Sequence, residues 1–503
     1  MSNLPDTDEG ATLGPLAHAG APRNIVRGAG AATASQVWRL VVTLATHMLL
    51  RRLIPPAEMG VWNWAEPVFI LLAQARDLGV PGHMVRQTRR AYGDFLRLEI
   101  GWGGLFALGL AVAAPILALG FESHDEQTTA ILRALCLFLF VQGLGAVPLT
   151  FFEAEQRLTA TIPAELARNI VFAVLSIALA LRGHGVWSLV IAHLAGAALY
   201  SAMLWFAARR DLSLDSEPGA LRALVTASLP LALLSFLELS VLHLDVLVLG
   251  LVLPEAAVAR AALAIFALFF VSRLLADAVG RAVYPALVSL THTGGNAYEV
   301  YSLATLLLLT FVVPLAFGLH LNAELVAWIL GGEEWVGAAD YLRVAAFVPL
   351  IRPLTMFGRE YLLVVHRDRL LIVYTLLNLV SLGGLGYTLV HTELRELGMA
   401  VAGYFPLGAL VLAWGLAQID RAAFRRLLRQ IAVLYLLAAP LFAPVWLLSP
   451  AATAPRLLAS LLAATIYLAI VWRLHGPRYR VFWSGALQHP SASDAAERGE
   501  RER

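Results

Sequence analysis

Arginine side chains interrupt several stretches that are otherwise apolar enough to cross a lipid bilayer. Arg39 falls near the middle of the run 27–50, and Arg352 falls near the middle of the run 341–365. A guanidinium keeps its proton in a protein, and placing one at mid-membrane costs about 2.5–3.5 kcal/mol on insertion scales. We therefore expect both side chains to face a water-filled cavity, a partner or a charged ligand.

Anion binding is the chemistry that these arginines favour. The run 341–365 is long enough to cross as one helix, and Arg352, Thr355 and Arg359 would then share one of its faces. The planar donors of a guanidinium suit phosphate or pyrophosphate, whereas a cationic drug would be disfavoured. The predicted substrate-binding residues are Arg39, Arg352, Arg359 and Arg273.

Carboxylates in the second half of the chain have two open interpretations. Glu238, Asp245 and Asp277 lie inside apolar runs and are candidates for binding a proton or a sodium ion. Alternatively, Glu238 or Asp245 forms a structural salt bridge with Arg39 or Arg352 on a facing helix, and Asp277 neutralises Arg273 four residues earlier.

Composition identifies a polytopic membrane protein. The 503 residues are 59% hydrophobic and 14% charged, with a mean hydropathy of +0.72. A net charge of +2 indicates no nucleic-acid partner, and the single cysteine, Cys136, excludes disulfides within the chain. The thirteen histidines show no metal-ligand spacing, so we expect neither a metal nor a cofactor. Residues 1–24 contain no signal-peptide core.

Fourteen apolar runs are long enough to span a membrane. They are residues 27–50, 61–80, 98–121, 129–151, 162–181, 185–207, 222–252, 256–282, 299–320, 341–365, 370–391, 397–417, 430–449 and 456–473. Arginines concentrate in alternate loops, and acidic residues concentrate in the others, so both termini are predicted to be cytoplasmic. Arg51 and Arg52, on the outer side, are the main exception.

Internal repeats divide the chain into two lobes. Pro148-Leu149-Thr150-x-Phe152 recurs 205 positions later as Pro353-Leu354-Thr355-x-Phe357, with Val147 and Ala154 where the second copy has Arg352 and Arg359. Residues 53–56 recur at 251–254 with an offset of 198. The predicted units are a disordered tail (1–24), a six-span N-lobe (25–207), a linker (208–221), a six-span C-lobe (222–417), two additional helices (418–475) and a second disordered tail (476–503).

Three sequence segments in the first half, and two in the second, resemble bacterial polysaccharide flippases. They are Leu53-Ile54-Pro55-Pro56-Ala57-Glu58-Met59-Gly60-Val61, Arg76-Asp77-Leu78-Gly79-Val80, Gly185-Val186-Trp187-Ser188-Leu189-Val190, Leu244-Asp245-Val246-Leu247-Val248-Leu249-Gly250 and Tyr284-Pro285-Ala286-Leu287. These proteins are the O-antigen and exopolysaccharide transporters of the multidrug/oligosaccharidyl-lipid/polysaccharide exporter superfamily. The family often has a basic residue at position 246, where this chain has Val246.

The resemblance implies a flippase that moves an undecaprenyl-pyrophosphate-linked oligosaccharide across the bacterial inner membrane. It implies two six-helix lobes around a central cavity that opens alternately to each side. The implied partners are that lipid-linked glycan and membrane lipids, with polysaccharide polymerase and glycosyltransferases as further candidates.

Other functions stay open at this point. A peptidoglycan-precursor flippase and a cation-coupled multidrug exporter belong to the same superfamily. A membrane glycosyltransferase, polymerase or ligase would usually need a large outer loop, whereas the longest outer segment here covers only about residues 320–340. We therefore expect a transporter rather than an enzyme.

Overall fold

The chain forms an all-α membrane fold. A computed structural model describes residues 41–86, 91–119, 126–155, 157–216, 221–229, 253–268, 296–365, 369–377, 409–448 and 453–487, with scattered positions between 232 and 290 and at 367 and 380. Among these residues there is no β-strand, and seven helices are long and apolar enough to cross a membrane. They coincide with predicted spans 3 to 6, 9, 13 and 14. The predicted class of polytopic helical membrane protein is confirmed.

Eight helices make up the described part of the first half. They are α1 (41–53), α2 (Pro56–Asp77), α3 (Val80–Arg86), α4 (Tyr92–Leu98), α5 (Gly104–Ala118), α6 (Glu126–Ala154), α7 (Ile162–Leu181) and α8 (Trp187–Ala208). A π-helical turn, Glu99–Gly103, joins α4 to α5. Helix α2 starts after Pro55 with a second proline in its first turn, where no amide donor is needed. It ends where Leu78 and Gly79 adopt positive φ angles of 49° and 69°.

Ten helices lie in the described part of the second half. They are α9 (221–229), α10 (255–268), α11 (Ala297–Leu321), α12 (Ala323–Gly331), α13 (Ala338–Ala345), α14 (Arg352–Val364), α15 (369–377), α16 (Ala409–Ile419), α17 (Arg421–Leu448) and α18 (Thr453–Leu487). Helix α10 begins directly after Pro254, as α2 begins directly after Pro55. These two helix starts are 199 positions apart, one more than the offset of 198 that the sequence alignment predicts.

The prediction that residues 341–365 form one continuous helix is wrong. Helix α13 ends at Ala345, a 3-10 turn covers Val348–Leu350, and α14 begins at Arg352. The physical reason is the pair Pro349 and Pro353, which lack amide hydrogens and restrict the residues before them. Pro148, which aligns with Pro353, lies inside the unbroken helix α6.

Apolar packing joins the two halves at one end of the molecule. One core cluster combines first-half residues such as Leu50 and Trp62 with second-half residues such as Val258 and Trp335. A second cluster packs α17 and α18 against α11 and α14. The first cluster includes residues next to the segments that follow α1 and precede α10 and α13. The predicted topology places this end of the molecule on the periplasmic side.

Candidate functional site

Arg352 lies at the break between two helices. It is the first residue of α14, its side chain is half-buried, and its carbonyl oxygen accepts a hydrogen bond from Thr355 Oγ1 at 3.1 Å. Arg359 follows two turns later in the same helix and is exposed. The two arginines therefore stand at i and i+7 of one helix, as predicted, but only Arg352 is partly withdrawn from the surface.

Five of the predicted site residues lie outside the described residues: Arg39, Arg273, Glu238, Asp245 and Asp277. Their roles stay predictions. The described residues closest to Arg39 in sequence show which way α1 faces. His47 Nδ1 lies 2.8 Å from the carbonyl oxygen of Thr43, and the His47 ring packs on Phe172 of α7 and Phe266 of α10, with centroids 6.3 and 6.1 Å apart. This side of α1 thus faces the second half of the chain.

A further cation of the first half was missed by the sequence reasoning. Arg168, six residues into α7, is half-buried, and its guanidinium carbon lies 4.7 Å from the centre of the Tyr200 ring. Gly196 of α8 provides room for its side chain. No described carboxylate forms an ion pair with it. The sequence did contain a signal for Arg168, because this arginine lies inside the apolar run 162–181.

Aromatic rings enclose a histidine close to the same face. His193 of α8 contacts the rings of Trp62, Phe138 and Phe172 at centroid distances of 5.1, 4.9 and 5.3 Å. Its Nδ1 atom is buried and finds no hydrogen-bond partner among the described residues. This cluster combines apolar walls with one polar atom that has no partner among the described residues.

A buried ion cluster fixes the opposite end of α2. Arg76 donates hydrogen bonds to the carboxylate of Asp77 and to the carbonyl oxygen of Leu139, and its Nε lies 3.6 Å from Glu99 Oε2. A Cβ atom added to Gly143 would overlap both Glu99 and Arg76. Arg76 is therefore neutralised and enclosed, so it is a structural residue rather than a cargo ligand.

The two halves meet at both ends of α2. Near its first turn, a Cβ atom on Gly60 would overlap the backbone carbonyl of Glu255. Just beyond its last turn, a Cβ atom on Gly79 would lie 2.6 Å from Ala232 N and 2.7 Å from Ser228 O. In this conformation, α2 therefore contacts the second half near both of its ends.

Two of the segments that carry the family resemblance contact each other at the predicted periplasmic end. The Val186 amide donates to Glu58 Oε2 at 3.0 Å, and Gly185, with a φ of 51°, passes directly over the same carboxylate. Packing explains the glycine at this position, because a side chain on Gly185 would collide with Glu58.

Comparison with known proteins decides the family. Residues 49–340, more than half of the chain, match the model of a family described as polysaccharide biosynthesis protein. The chain belongs to this family. The resemblance predicted from sequence is thereby confirmed. No curated protein sequence gave a significant match.

Solved structures of membrane transporters share the fold of this polysaccharide biosynthesis protein. The lipid II flippase MurJ in an inward closed conformation superposes with a TM-score of 0.69 at 11% identity, over 88% of this chain and 98% of that one. An inward-facing multidrug resistance transporter of the MATE family, in the MOP superfamily, superposes with a TM-score of 0.60 at 16% identity. This superposition covers 77% of this chain and 96% of the transporter. At these identities the comparison establishes the fold alone.

Proposed function

We propose that this protein is a flippase that moves an undecaprenyl-pyrophosphate-linked oligosaccharide, a repeat unit of O-antigen, capsule or exopolysaccharide, across the bacterial inner membrane. The observation that carries the proposal is Arg352, which begins α14 at the break that interrupts the second copy of the repeat. A half-buried guanidinium at the positive end of a helix suits a pyrophosphate. Family membership supports the class of cargo.

Arg39, Arg352, Arg359 and Arg273 are the proposed cargo contacts, and Arg168 is added to them from its position in α7. We propose that both termini face the cytoplasm and that cargo passes between an N-lobe (25–207) and a C-lobe (222–417). The helices of 418–475 lie outside the repeat and pack on α11 of the C-lobe. Between the lobes, residues 208–221 form a linker, whose Asp215 carbonyl accepts from the Gly93 amide at 3.0 Å.

Purified protein in proteoliposomes tests the proposal. The lipid-linked glycan should move between leaflets with wild-type protein, and Arg352→Ala should abolish most of that movement at equal protein content. Arg157→Ala is the control, because Arg157 pairs with Asp211 at the surface, with a nitrogen–oxygen distance of 2.6 Å. Transport by Arg352→Ala equal to the wild type would overturn the assignment of Arg352.

Glu238, Asp245 and Asp277 are the proposed ion-coupling residues. The same proteoliposomes, with an imposed proton or sodium gradient, test this role, and transport that responds to neither gradient would exclude coupling. A peptidoglycan-precursor flippase would carry the same pyrophosphate chemistry, and rescue of cells that lack that activity would identify it. Drug resistance on expression would instead identify a multidrug exporter.

A further inference from the structure

A guanidinium is buried between the two halves of the protein at the predicted periplasmic end. Arg51, in the last turn of α1, is 5% exposed. Its guanidinium carbon lies 4.8 Å from the centre of the Phe266 ring and 5.9 Å from that of Trp335, both from the second half. Its Nη1 atom is buried and has no hydrogen-bond partner among the described residues.

Two aromatic rings do not compensate for the lost hydration of this cation. A cation–π contact contributes about 0.5–2 kcal/mol, whereas removing an ion from water costs several kcal/mol even after the protein relaxes. An oxyanion would provide the missing partner, because a charge-assisted hydrogen bond to a guanidinium is stronger than its contact with a ring. The closed arrangement therefore leaves Arg51 with unused capacity to bind an anion.

Arg51 also continues the polar stripe of α1. Arg39, Thr43 and His47 follow one another at intervals of four residues, and the next member of that series is Arg51. His47 and Arg51 pack on the same ring, that of Phe266. The described part of this stripe, from Thr43 to Arg51, extends over eight residues, about 12 Å at 1.5 Å per residue. In the predicted first span, this series runs from Arg39, a proposed cargo contact, to the predicted periplasmic end.

Closure at this end depends on the backbone of Arg51 rather than on its side chain. The indole Nε1 of Trp335 donates to the carbonyl oxygen of Arg51 at 2.7 Å, in a fully buried position. A substitution of Arg51 keeps that carbonyl, and Trp335→Phe keeps a ring but removes the donor. The binding role of the guanidinium and the closing role of the hydrogen bond can therefore be tested separately.

We propose that Arg51 is a second phosphate-binding residue on the exit side of the cargo pathway, covered by Phe266 and Trp335 until the pyrophosphate of the cargo displaces the two rings. This inference rests on the proposed flippase function. Arrival of the pyrophosphate exchanges two ring contacts for charge-assisted hydrogen bonds, so the presence of cargo favours separation of the two halves at this end.

Hydrogen–deuterium exchange of the full-length protein in lipid nanodiscs tests the inference. Undecaprenyl pyrophosphate is the probe, and undecaprenol is the uncharged control. With wild-type protein, the probe should raise deuterium uptake about twofold in residues 50–60 and 331–340, since local opening controls exchange, and undecaprenol should not. Arg51→Gln should keep the uptake seen without lipid and lose the response to the probe, and Arg51→Lys should respond weakly.

Two further variants sharpen the test. Arg52 is the matched control, because it is exposed and also reaches the second half, donating to the Ile329 carbonyl at 3.3 Å; Arg52→Gln should respond like the wild type. Trp335→Phe should raise uptake in the absence of lipid. A full response of Arg51→Gln to the probe would overturn the inference. Raised deuterium uptake of Arg51→Gln without lipid would also overturn it, because Arg51 would then only hold the two halves together.

Failure of the inference differs from failure of the proposed function. If Arg51→Gln responds normally while wild-type protein transports the lipid-linked glycan, Arg51 is not an exit-side ligand and the flippase proposal stands. If wild-type protein neither responds to undecaprenyl pyrophosphate nor transports the glycan, the flippase proposal itself is wrong.

Discussion

Pro148 and Pro353 occupy matching positions in the repeat, yet Pro148 lies within a continuous helix and Pro353 lies in the first turn of a new one. The difference arises upstream, where Pro349 adds a second residue without an amide hydrogen. Only the copy that carries arginines is broken. The break places Arg352 at the start of a helix, whereas the aligned residue Val147 lies inside the continuous helix α6.

Restoring the helix should therefore impair transport without unfolding the protein. In Pro349→Ala/Pro353→Ala, the added amide donors allow α13 and α14 to join, which moves the Arg352 guanidinium away from a helix start. We expect transport of lipid-linked glycan to fall about tenfold, equivalent to about 1.4 kcal/mol, with an unchanged or higher Tm. Pro148→Ala is the matched control and should transport normally. Normal transport by the double variant would refute the role of the break.

Arg168→Gln should lower transport and leave stability almost unchanged. The guanidinium contacts the Tyr200 ring, and no described carboxylate depends on it for charge balance. Loss of one charge-assisted hydrogen bond to cargo corresponds to roughly 1.5–3 kcal/mol, or about 10- to 150-fold in binding. Binding of undecaprenyl pyrophosphate and thermal unfolding in detergent measure the two effects. A large drop in Tm with normal binding would identify a structural residue.

Arg76→Gln should destabilise the protein. The substitution leaves the buried Glu99 and the half-buried Asp77 without the cation that lies between them, and breaking a buried pair typically costs about 3–5 kcal/mol. Glu99→Gln removes one of the two negative charges that share Arg76, so its cost should be much smaller. Unfolding in detergent, followed by circular dichroism, compares the two variants. Equal stability of Arg76→Gln and wild type would contradict the structure of this cluster.

Gly60→Ala should prevent closure at the predicted periplasmic end. The added methyl group would overlap the Glu255 carbonyl, so α2 and the start of α10 would be forced apart. Deuterium uptake in residues 50–60 should rise without any ligand, and transport should be lost. Gly109→Ala in α5 is the control, because a methyl group there meets no atom within 4 Å. Uptake in Gly60→Ala that matches the control would argue against this contact.

Hydropathy alone predicted much of the fold. Apolar runs such as 98–121 and 299–320 became helices Tyr92–Ala118 and Ala297–Leu321, because a chain in lipid must satisfy its backbone groups internally. The break before Arg352 was missed because prolines are tolerated inside membrane helices, as Pro148 is. Their effect depends on spacing and on neighbouring helices, which a hydropathy pattern does not contain.

The candidate site was predicted less completely than the fold. Arg352 was found because its own run isolates it among apolar residues, but the burial of Arg51 was not foreseen. Two adjacent arginines at a helix end suggest an exposed loop, and the partner that covers Arg51 is Trp335, 284 positions away. Only tertiary structure brings such residues together, so local patterns could not distinguish buried Arg51 from exposed Arg52.

Helix α2 packs closely against the second half near both of its ends, at Gly60 and just beyond the helix at Gly79. Its 22 residues make a rod about 33 Å long at 1.5 Å per residue. In a cycle that opens the two sides alternately, one of these contacts would be released while the other is kept, and the kept contact would act as the hinge of α2. A pathway open to both sides of the membrane at once would require the contacts at Gly60 and Gly79 to be lost together.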